Sequence, residues 1–599
     1  MVKDRSRKPP SIVPASEPIW PLIVFGVLCT IGYLVYVAVV VDPRFIYNTG
    51  GLIVNFPSFY YGWGHLAERL ARPGGICQYA SGFLAQWYCH RWLGAAVIVS
   101  MAALSMLCSY WYLRILGLGW IGPIASVGPV AVLAVHNQYV YALDVIFAYT
   151  VAVAAACLVL RSFNSPGKRA IFACALIPFV YWAIGGTGLL TAMLLVIAGI
   201  TRKEGWLTAI AACSAFLWPY ILGVVLLGQD IRTAYASMTP WAQSSAHGTH
   251  KADITLWALY LALPVVSIAG FWRPVSSTAD RPRIRVWPKM AIVIGAIVLV
   301  GWWSYDHRLR TLFAVDYYSK ARAWDKVLQT ARKVPYNYLI CHEADRALYH
   351  KGQLGQAMFS LPQSLEALLL SGRPAFWHKA ETCMELGLIN EAENALWISI
   401  EIYGERPLLL DRLVTINIIK GETGAAKVLL GTLARCPFWC KRARTRLTEL
   451  ERDPYMTGDP YIQHLRMVAL RKDWVRPRPA LPELLEQGPT NQMAYEYRMA
   501  ELLLAKDLPN LIQTFNRYHY RISNHIPRHH QEALLLAKAL DMDKAGLKDL
   551  QFDQDVMAQF ISFMRRMVSF GTDMAAASKD LKGQFGQTYF YYFYLGGLQ

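Results

Sequence analysis

Carboxylates are scarce in the first half of this chain, and that scarcity narrows the search for a group that could take a proton. Nine acidic residues precede Tyr305, and five of them, Asp42, Glu68, Asp144, Asp230 and Asp253, fall at or beyond one interface of the apolar segments. Asp42 stands directly after the first apolar run and before Pro43, which is also the place for a turn residue at a helix end. Glu68 lies at helical spacing from His65 and Arg72, so a carboxylate, an imidazole and a guanidinium can share one helix face. Such a face can activate a hydroxyl and hold a phosphate; a solvated face with ordinary ion pairs has the same pattern. Asp144 sits inside an apolar run about one turn below His136-Asn137-Gln138, where an ionisable group is costly and faces a cavity or a partner. Arg91, between His90 and Trp92, offers a planar donor fork for a lipid phosphate or an anchor at the interface. We take Asp42, Glu68 and Asp144 as candidate catalytic groups, and His65, Arg72, Arg91 and His136 as candidate substrate-binding groups.

These residues need membrane helices to position them. Hydrophobic residues make up 55% of the 599 residues and charged ones only 17%, too apolar for one soluble globule and too long for one domain. Apolar runs at Ile19 to Val41, Ala95 to Leu116, Leu118 to Val135, Tyr139 to Leu160, Ala170 to Ile184, Leu189 to Ile200, Trp206 to Leu227, Ile254 to Trp272 and Met290 to Trp303 predict about nine spans. With residues 1–18 as a cytoplasmic tail, the inner loops carry fifteen Lys and Arg and the outer loops six, as the positive-inside rule requires. The odd number of spans then puts everything after Tyr305 on the outer side. The fifth and sixth runs are short and meet at Gly185-Gly186-Thr187-Gly188; two readings stand, a re-entrant hairpin flooring an outward cavity and two tilted helices with a tight turn.

Two long stretches connect to this bundle. The first loop, within 42–94, holds an aromatic run from Phe56 to Trp63, a predicted amphipathic helix from Leu66 to Arg72 and the turn Pro73-Gly74-Gly75. The second, 305–599, is predicted to be soluble and helical. Gly352, Gly387 and Gly421 recur after 35 and then 34 residues, each following a helix that carries a small residue such as Ala347, Ala380 or Val414. That period resembles the tetratricopeptide repeat over Trp324 to Leu430, with weaker traces beyond. The predicted fold class is therefore all-α: a polytopic helical bundle over 19–304 followed by a tetratricopeptide-like α-solenoid over 305–599.

The net charge of +18 sits largely in short loops beside apolar runs, so nucleic acid is not an expected partner. The eleven cysteines show no two-pair zinc spacing, and no cofactor is indicated, although a divalent metal is compatible with the acidic residues. Disulfides between Cys77 and Cys89 and between Cys436 and Cys440 stay open on sequence grounds.

The layout of Asp42, Glu68 and the loop helix, many spans and a soluble domain on the same side resembles the polytopic glycosyltransferases of the C-type fold, and among them the protein O-mannosyltransferases that end in a tetratricopeptide array. The resemblance implies a polyprenyl-phosphate sugar donor, a first-loop acid as base or metal ligand, with Asp42 in that place and Glu68 as alternate, and basic residues for the phosphate. The adjacent acidic pair common in that family is absent here, since Pro43 follows Asp42. Pro73-Gly74-Gly75 together with Trp324-Asp325-Lys326-Val327 also resembles a family of bacterial membrane proteins with no assigned activity. The expectation is a glycosyltransferase-like protein handling a lipid-linked sugar at the outer face of a bacterial inner membrane. The alternative is a membrane-anchored scaffold that binds a protein or peptide through its repeats.

Overall fold

The computed structural model describes residues 20–47, 52, 56–242, 250–271, 286–370, 375–470, 481–542 and 550–598. The tail 1–18, Trp272 at the end of the eighth run and His247 of an outer loop lie outside the described residues. Within them every regular element is helical.

Five helices are long and apolar enough to cross a membrane: Arg91–Ile115, Leu143–Ser162, Pro166–Thr201, Gly205–Leu226 and His250–Ala269. A sixth candidate is the pair Met290–Ser304 and His307–Lys320, bent by 70°. The bend has a local cause, because Asp306 caps the second helix by accepting from the backbone N–H groups of Arg308 (2.9 Å) and Leu309 (3.1 Å). Gly26–Val41 and Ile121–Asn137 are shorter apolar helices. Pro166–Thr201 is interrupted at Gly185, whose φ of +62° leaves the right-handed helical region.

Beyond Ser304 the chain forms a succession of short helices in which Phe376–Leu386 packs on Ile389–Tyr403 and Pro407–Lys420 on Thr423–Leu433. Gly387 (φ +98°) and Gly421 (φ +80°) end the first member of each pair in the left-handed conformation, which stops a helix at little steric cost when the residue is glycine. A cluster of ion pairs is buried between these helices: Arg346 meets Glu343 at 3.0 Å and Glu385 at 2.9 Å, and Arg412 meets Glu381 at 2.5 Å. Burial raises the Glu385 carboxyl, but Arg346 and His350 outweigh it and hold the group below its ordinary range.

The two parts share a core. Phe313 of His307–Lys320 stacks on Tyr139 with centroids 4.4 Å apart, and Arg310 Nε donates to Val40 O at 2.7 Å. Phe313, Ala314, Leu339 and Leu370 belong to the same buried cluster as the apolar helices. That continuity fixes the later helices over the first loop.

Candidate functional site at the junction of the two halves

The first loop is built around a helix, Trp63–Leu70, whose end is pinned to the membrane part. Trp182 Nε1 donates to Leu70 O at 2.9 Å, and Gly74 N donates to Trp182 O at 2.9 Å. The Pro73-Gly74-Gly75 turn has to be bare for this. Gly74 has φ +83°, and a Cβ on Gly75 would lie 1.6 Å from Arg69 O. Gly74 then rests against Gly185 of the interrupted helix, so two glycine-rich stretches far apart in sequence meet as backbone on backbone.

Above this contact lies a cavity of about 800 Å³. Its walls come from four places. The first loop supplies Tyr60, His65, Glu68, Arg69 and Gln78, and Leu143–Ser162 supplies Asp144. The segment after Ile231–Ala236 supplies Ser237 and Met238, and the helices beyond Ser304 supply Tyr403, Glu405 and Arg435. Tyr60 OH donates to Glu405 Oε2 at 3.2 Å, and Ser58 Oγ donates to Glu405 O. Tyr61 N donates to Arg435 O at 2.7 Å, and Arg435 Nε returns a bond to Tyr61 O at 3.3 Å. Arg69 Nη1 is aimed by Gln78 Oε1 at 3.1 Å. Asp144 Oδ1 accepts from Val145 N at 2.9 Å in the first turn of its helix. Three carboxylates and two guanidiniums thus face one cavity, an arrangement suited to accepting a proton from a hydroxyl beside a bound phosphate. His65 is held among Phe59, Tyr60 and Tyr79, and burial, then the Arg69 charge, lower its pKa, so the ring is neutral near pH 7.

Of the residues expected from sequence, His65, Glu68 and Asp144 come together in this cavity. The other four lie elsewhere. Asp42 is 4% exposed and locked to Arg44, with Oδ1 to Nε at 2.9 Å and Oδ2 to Nη2 at 2.6 Å. Arg91 lies 3.7 Å from the same carboxylate and donates from Nε to Ala38 O at 2.7 Å, which ties the first two apolar helices together. Arg72 pairs with Glu68 at 3.5 Å on the exposed side of the loop helix. His136 Nδ1 donates to Val132 O at 2.7 Å, which leaves Nε2 to accept from Tyr88 OH at 3.1 Å. Its neighbour Asn137 donates to Gly301 O and Ser304 Oγ, joining two helices. Cys77 Sγ donates to Asp144 O at 3.2 Å, and all eleven cysteines are free thiols.

Arg69, Gln78, Glu405 and Arg435 are additions. Arg69 follows His65 by four residues, a helical spacing available in the sequence. No local signal marks Glu405, 345 residues from Tyr60. Among the described residues no group of three or more His, Cys, Asp or Glu side chains is placed to hold a metal ion.

A second space adjoins the first. The segment Arg232 to Trp241 separates the polar cavity from an apolar groove of about 750 Å³ lined by Leu190, Met193, Trp241, Trp257 and Leu261, with Arg232 at its rim. Trp241 is 79% exposed and Leu261 48% exposed, so the groove opens to the side of the helices.

With this geometry in view, comparison with known proteins places the chain by family. It matches the family of unknown function DUF6057 over residues 19–596. The chain belongs to that family. No curated protein and no solved structure matches it.

Proposed function

We propose that this DUF6057 protein handles a lipid-linked, phosphate-bearing sugar at the outer face of a bacterial inner membrane, transferring the glycosyl group to an acceptor hydroxyl. The single observation that carries the reading is the pair of spaces on either side of Arg232 to Trp241: a charged cavity and a lipid-facing apolar groove, the two environments an amphiphilic donor needs.

In this reading the isoprenoid chain lies in the groove and the phosphate reaches the cavity. Arg69 and Arg435 offset its charge. The acceptor oxygen attacks the anomeric carbon, and its proton passes to Glu68 or Asp144. The bond from that carbon to the phosphate oxygen breaks with both electrons leaving on the phosphate. Guanidiniums held in place before the reaction stabilise that growing charge.

The topology we adopt is nine spans with a cytoplasmic N-terminus and a tetratricopeptide-like array outside. Support comes from Pro166–Thr201, whose 36 residues would make a helix of about 54 Å, far longer than a hydrocarbon core of about 30 Å; broken at Gly185, it serves as two crossings.

The test uses the full chain in lipid nanodiscs with a polyprenyl-phosphate sugar. Saturable binding is expected, weakened at least tenfold in Arg69→Gln and Arg435→Gln, and Glu68→Gln or Asp144→Asn should abolish transfer while leaving binding. No binding by folded protein would sink the proposal and leave the scaffold reading in its place.

A further inference from the structure

We propose that a slot between the first apolar helix and Val286–Ser304 binds one anionic phospholipid, with its headgroup at the Val40 end. The slot lies apart from the cavity and the groove described above; only the reading of its helices as membrane crossings is shared with the proposed function.

Trp20–Tyr36, continued by Val37–Val41, packs on Arg91–Ile115, and Val286–Ser304 packs on Val127–Asn137. The space left between them is about 570 Å³, walled by Cys29, Gly32 and Val40 on one side and Ile297, Val298 and Trp302 on the other. Val298 and Trp302 are exposed, so the slot opens to the side of the helices. Gly32 keeps it open, because a Cβ there meets nothing within 4 Å. Two phenols in the lining are already engaged: Tyr33 OH donates to Pro129 O at 3.1 Å and Tyr36 OH to Asn137 Oδ1 at 3.2 Å. What faces the opening is therefore apolar. A trough of this kind in a hydrocarbon-facing surface is filled by a lipid chain, since an empty one forfeits dispersion contacts along its walls. From Cys29 to Val40 the helix rises about 16 Å, half of a hydrocarbon core of about 30 Å, which is the depth that a chain from one leaflet reaches.

The Val40 end supplies the charge. Arg310 Nε donates to Val40 O at 2.7 Å, which fixes the guanidinium at the mouth of the slot, and among the described residues neither Nη has a hydrogen-bond or ion-pair partner. Arg310 is only half-buried, so those donors form a free edge of the kind that suits a phosphate. Arg308 and Tyr305 are exposed beside it. Two carboxylates lie at this end, and both are engaged. Asp306 caps its helix at Arg308 N and Leu309 N, and Asp42 is held by Arg44 at 2.6 Å with Arg91 3.7 Å away. Arg44, Arg91, Arg308 and Arg310 outnumber them, and Arg310 has donors to spare. A zwitterionic headgroup brings its own ammonium to its phosphate and has less use for that surplus, so a net negative headgroup is selected. Trp302 and Tyr305 are of the aromatic types that settle at headgroup depth.

The experiment is native mass spectrometry of the full chain released from detergent and titrated with dioleoyl phosphatidylglycerol, dioleoyl phosphatidylcholine and glycerol 3-phosphate. One saturable phosphatidylglycerol per chain is expected, retained at least tenfold more tightly than phosphatidylcholine, with no retention of glycerol 3-phosphate. Gly32→Leu fills the slot and should weaken phosphatidylglycerol at least tenfold, and Arg310→Gln should bring the two lipids within about twofold of each other. Thermal melting identifies any variant that fails to fold, and the exposed Arg308→Gln, expected to lower the preference about threefold, keeps the charge test open if Arg310→Gln is lost. Full retention in folded Gly32→Leu, equal retention of the two lipids by the wild type, displacement by glycerol 3-phosphate at similar concentration, or a preference unchanged in the folded arginine variants would overturn the site. So would a dimer that Gly32→Leu splits into monomers, which would give the slot to a second copy of the chain.

Discussion

Tyr60 and Glu405 are joined by a hydrogen bond of 3.2 Å although 345 residues separate them. One belongs to the loop between the first two apolar helices and the other to the turn between Ile389–Tyr403 and Pro407–Lys420, so the bond closes the cavity between the halves. Exposed hydrogen bonds contribute only about 1 kcal/mol. Glu405→Gln should therefore leave the thermal midpoint almost unchanged while speeding amide exchange across Trp63–Leu70. Unchanged exchange in that helix would show that the junction is held by other contacts.

Asp42 and Glu68 should separate stability from activity. The Asp42 carboxylate is buried and doubly bonded to Arg44, and removing one member of such a pair costs about 3 kcal/mol because the other is left without its counter-charge. Asp42→Ala should lower the melting temperature and the yield in membranes, and Arg44→Ala should do much the same. Glu68 is more than half exposed, and Glu68→Gln should melt like the wild type and lose only the proposed transfer. A stable but inactive Asp42→Ala would reverse these assignments.

Gly75→Ala should prevent the first loop from docking. Its Cβ would stand 1.6 Å from Arg69 O, a backbone atom that cannot step aside, so the cost is about 3 kcal/mol or more. A Cβ on Gly64, eleven residues earlier, meets nothing within 4 Å, and Gly64→Ala is the matched control. Protease nicking between residues 56 and 75 reads the difference.

Asp345 should make the C-terminal half less stable as pH rises. It is buried, Gln363 Nε2 donates to Oδ1 at 2.9 Å, and both Oδ2 and Gln363 Oε1 lack partners. Burial raises its pKa to about 7. A protonated carboxyl could donate across to Gln363 Oε1, and Asn would do so at any pH. Because the folded pKa lies above the unfolded one, the folded state binds the extra proton, and stability falls as pH rises from about 4 through 7. Asp345→Asn should therefore stabilise the protein by about 2 to 4 kcal/mol near pH 8 and change little near pH 4. Equal denaturation midpoints near pH 8 would refute this.

Acid should act on the same helices through two buried histidines. His342 and His530 are at most 1% exposed, and burial lowers their pKa values to about 4 and about 3. Folded pKa values below the unfolded one mean that the unfolded chain takes up protons first. Their contribution is thus complete above about pH 6.5 and lost as pH falls toward 4 and 3. Near pH 5 the loss is about 2 kcal/mol for each. In the wild type Asp345 partly masks it, gaining stability over the same interval. The Asp345→Asn protein removes the mask, so its melting temperature should fall more steeply between about pH 7.5 and pH 5 than the wild type's. Parallel curves would argue against the mask at Asp345, and an Asp345→Asn curve that stays flat between about pH 7.5 and pH 5 would argue against the histidines.

Local features were legible in the sequence, and distant pairings were not. Gly387 and Gly421 announced helix ends because little else accepts a left-handed residue there. His65 and Glu68 announced a shared face because the helical period is fixed. The same period offers both Arg69 and Arg72, but the helix ends at Leu70, so Arg69 keeps its place on the cavity face while Arg72 lies beyond the last turn, more than half exposed. Asp42 was conspicuous as the acid after an apolar run, but its positive φ of 51° turns the carboxylate onto Arg44 two residues on, which no periodicity indicates. Glu405 and Arg435 carry no mark of function at all. They become wall residues only because Phe313, Ala314 and Leu339 share a core with the apolar helices and so place the later helices over the loop.

The distance along the chain between Tyr60 and Glu405 has a consequence in time. Synthesis at about 5 to 20 residues per second leaves roughly 20 to 70 seconds between the two residues, during which the first loop has one wall and Tyr61 lacks its backbone partner at Arg435. The cavity therefore comes into being only late in translation. A chain that stops before residue 403 would carry every apolar helix and the whole first loop, and still have no enclosed site.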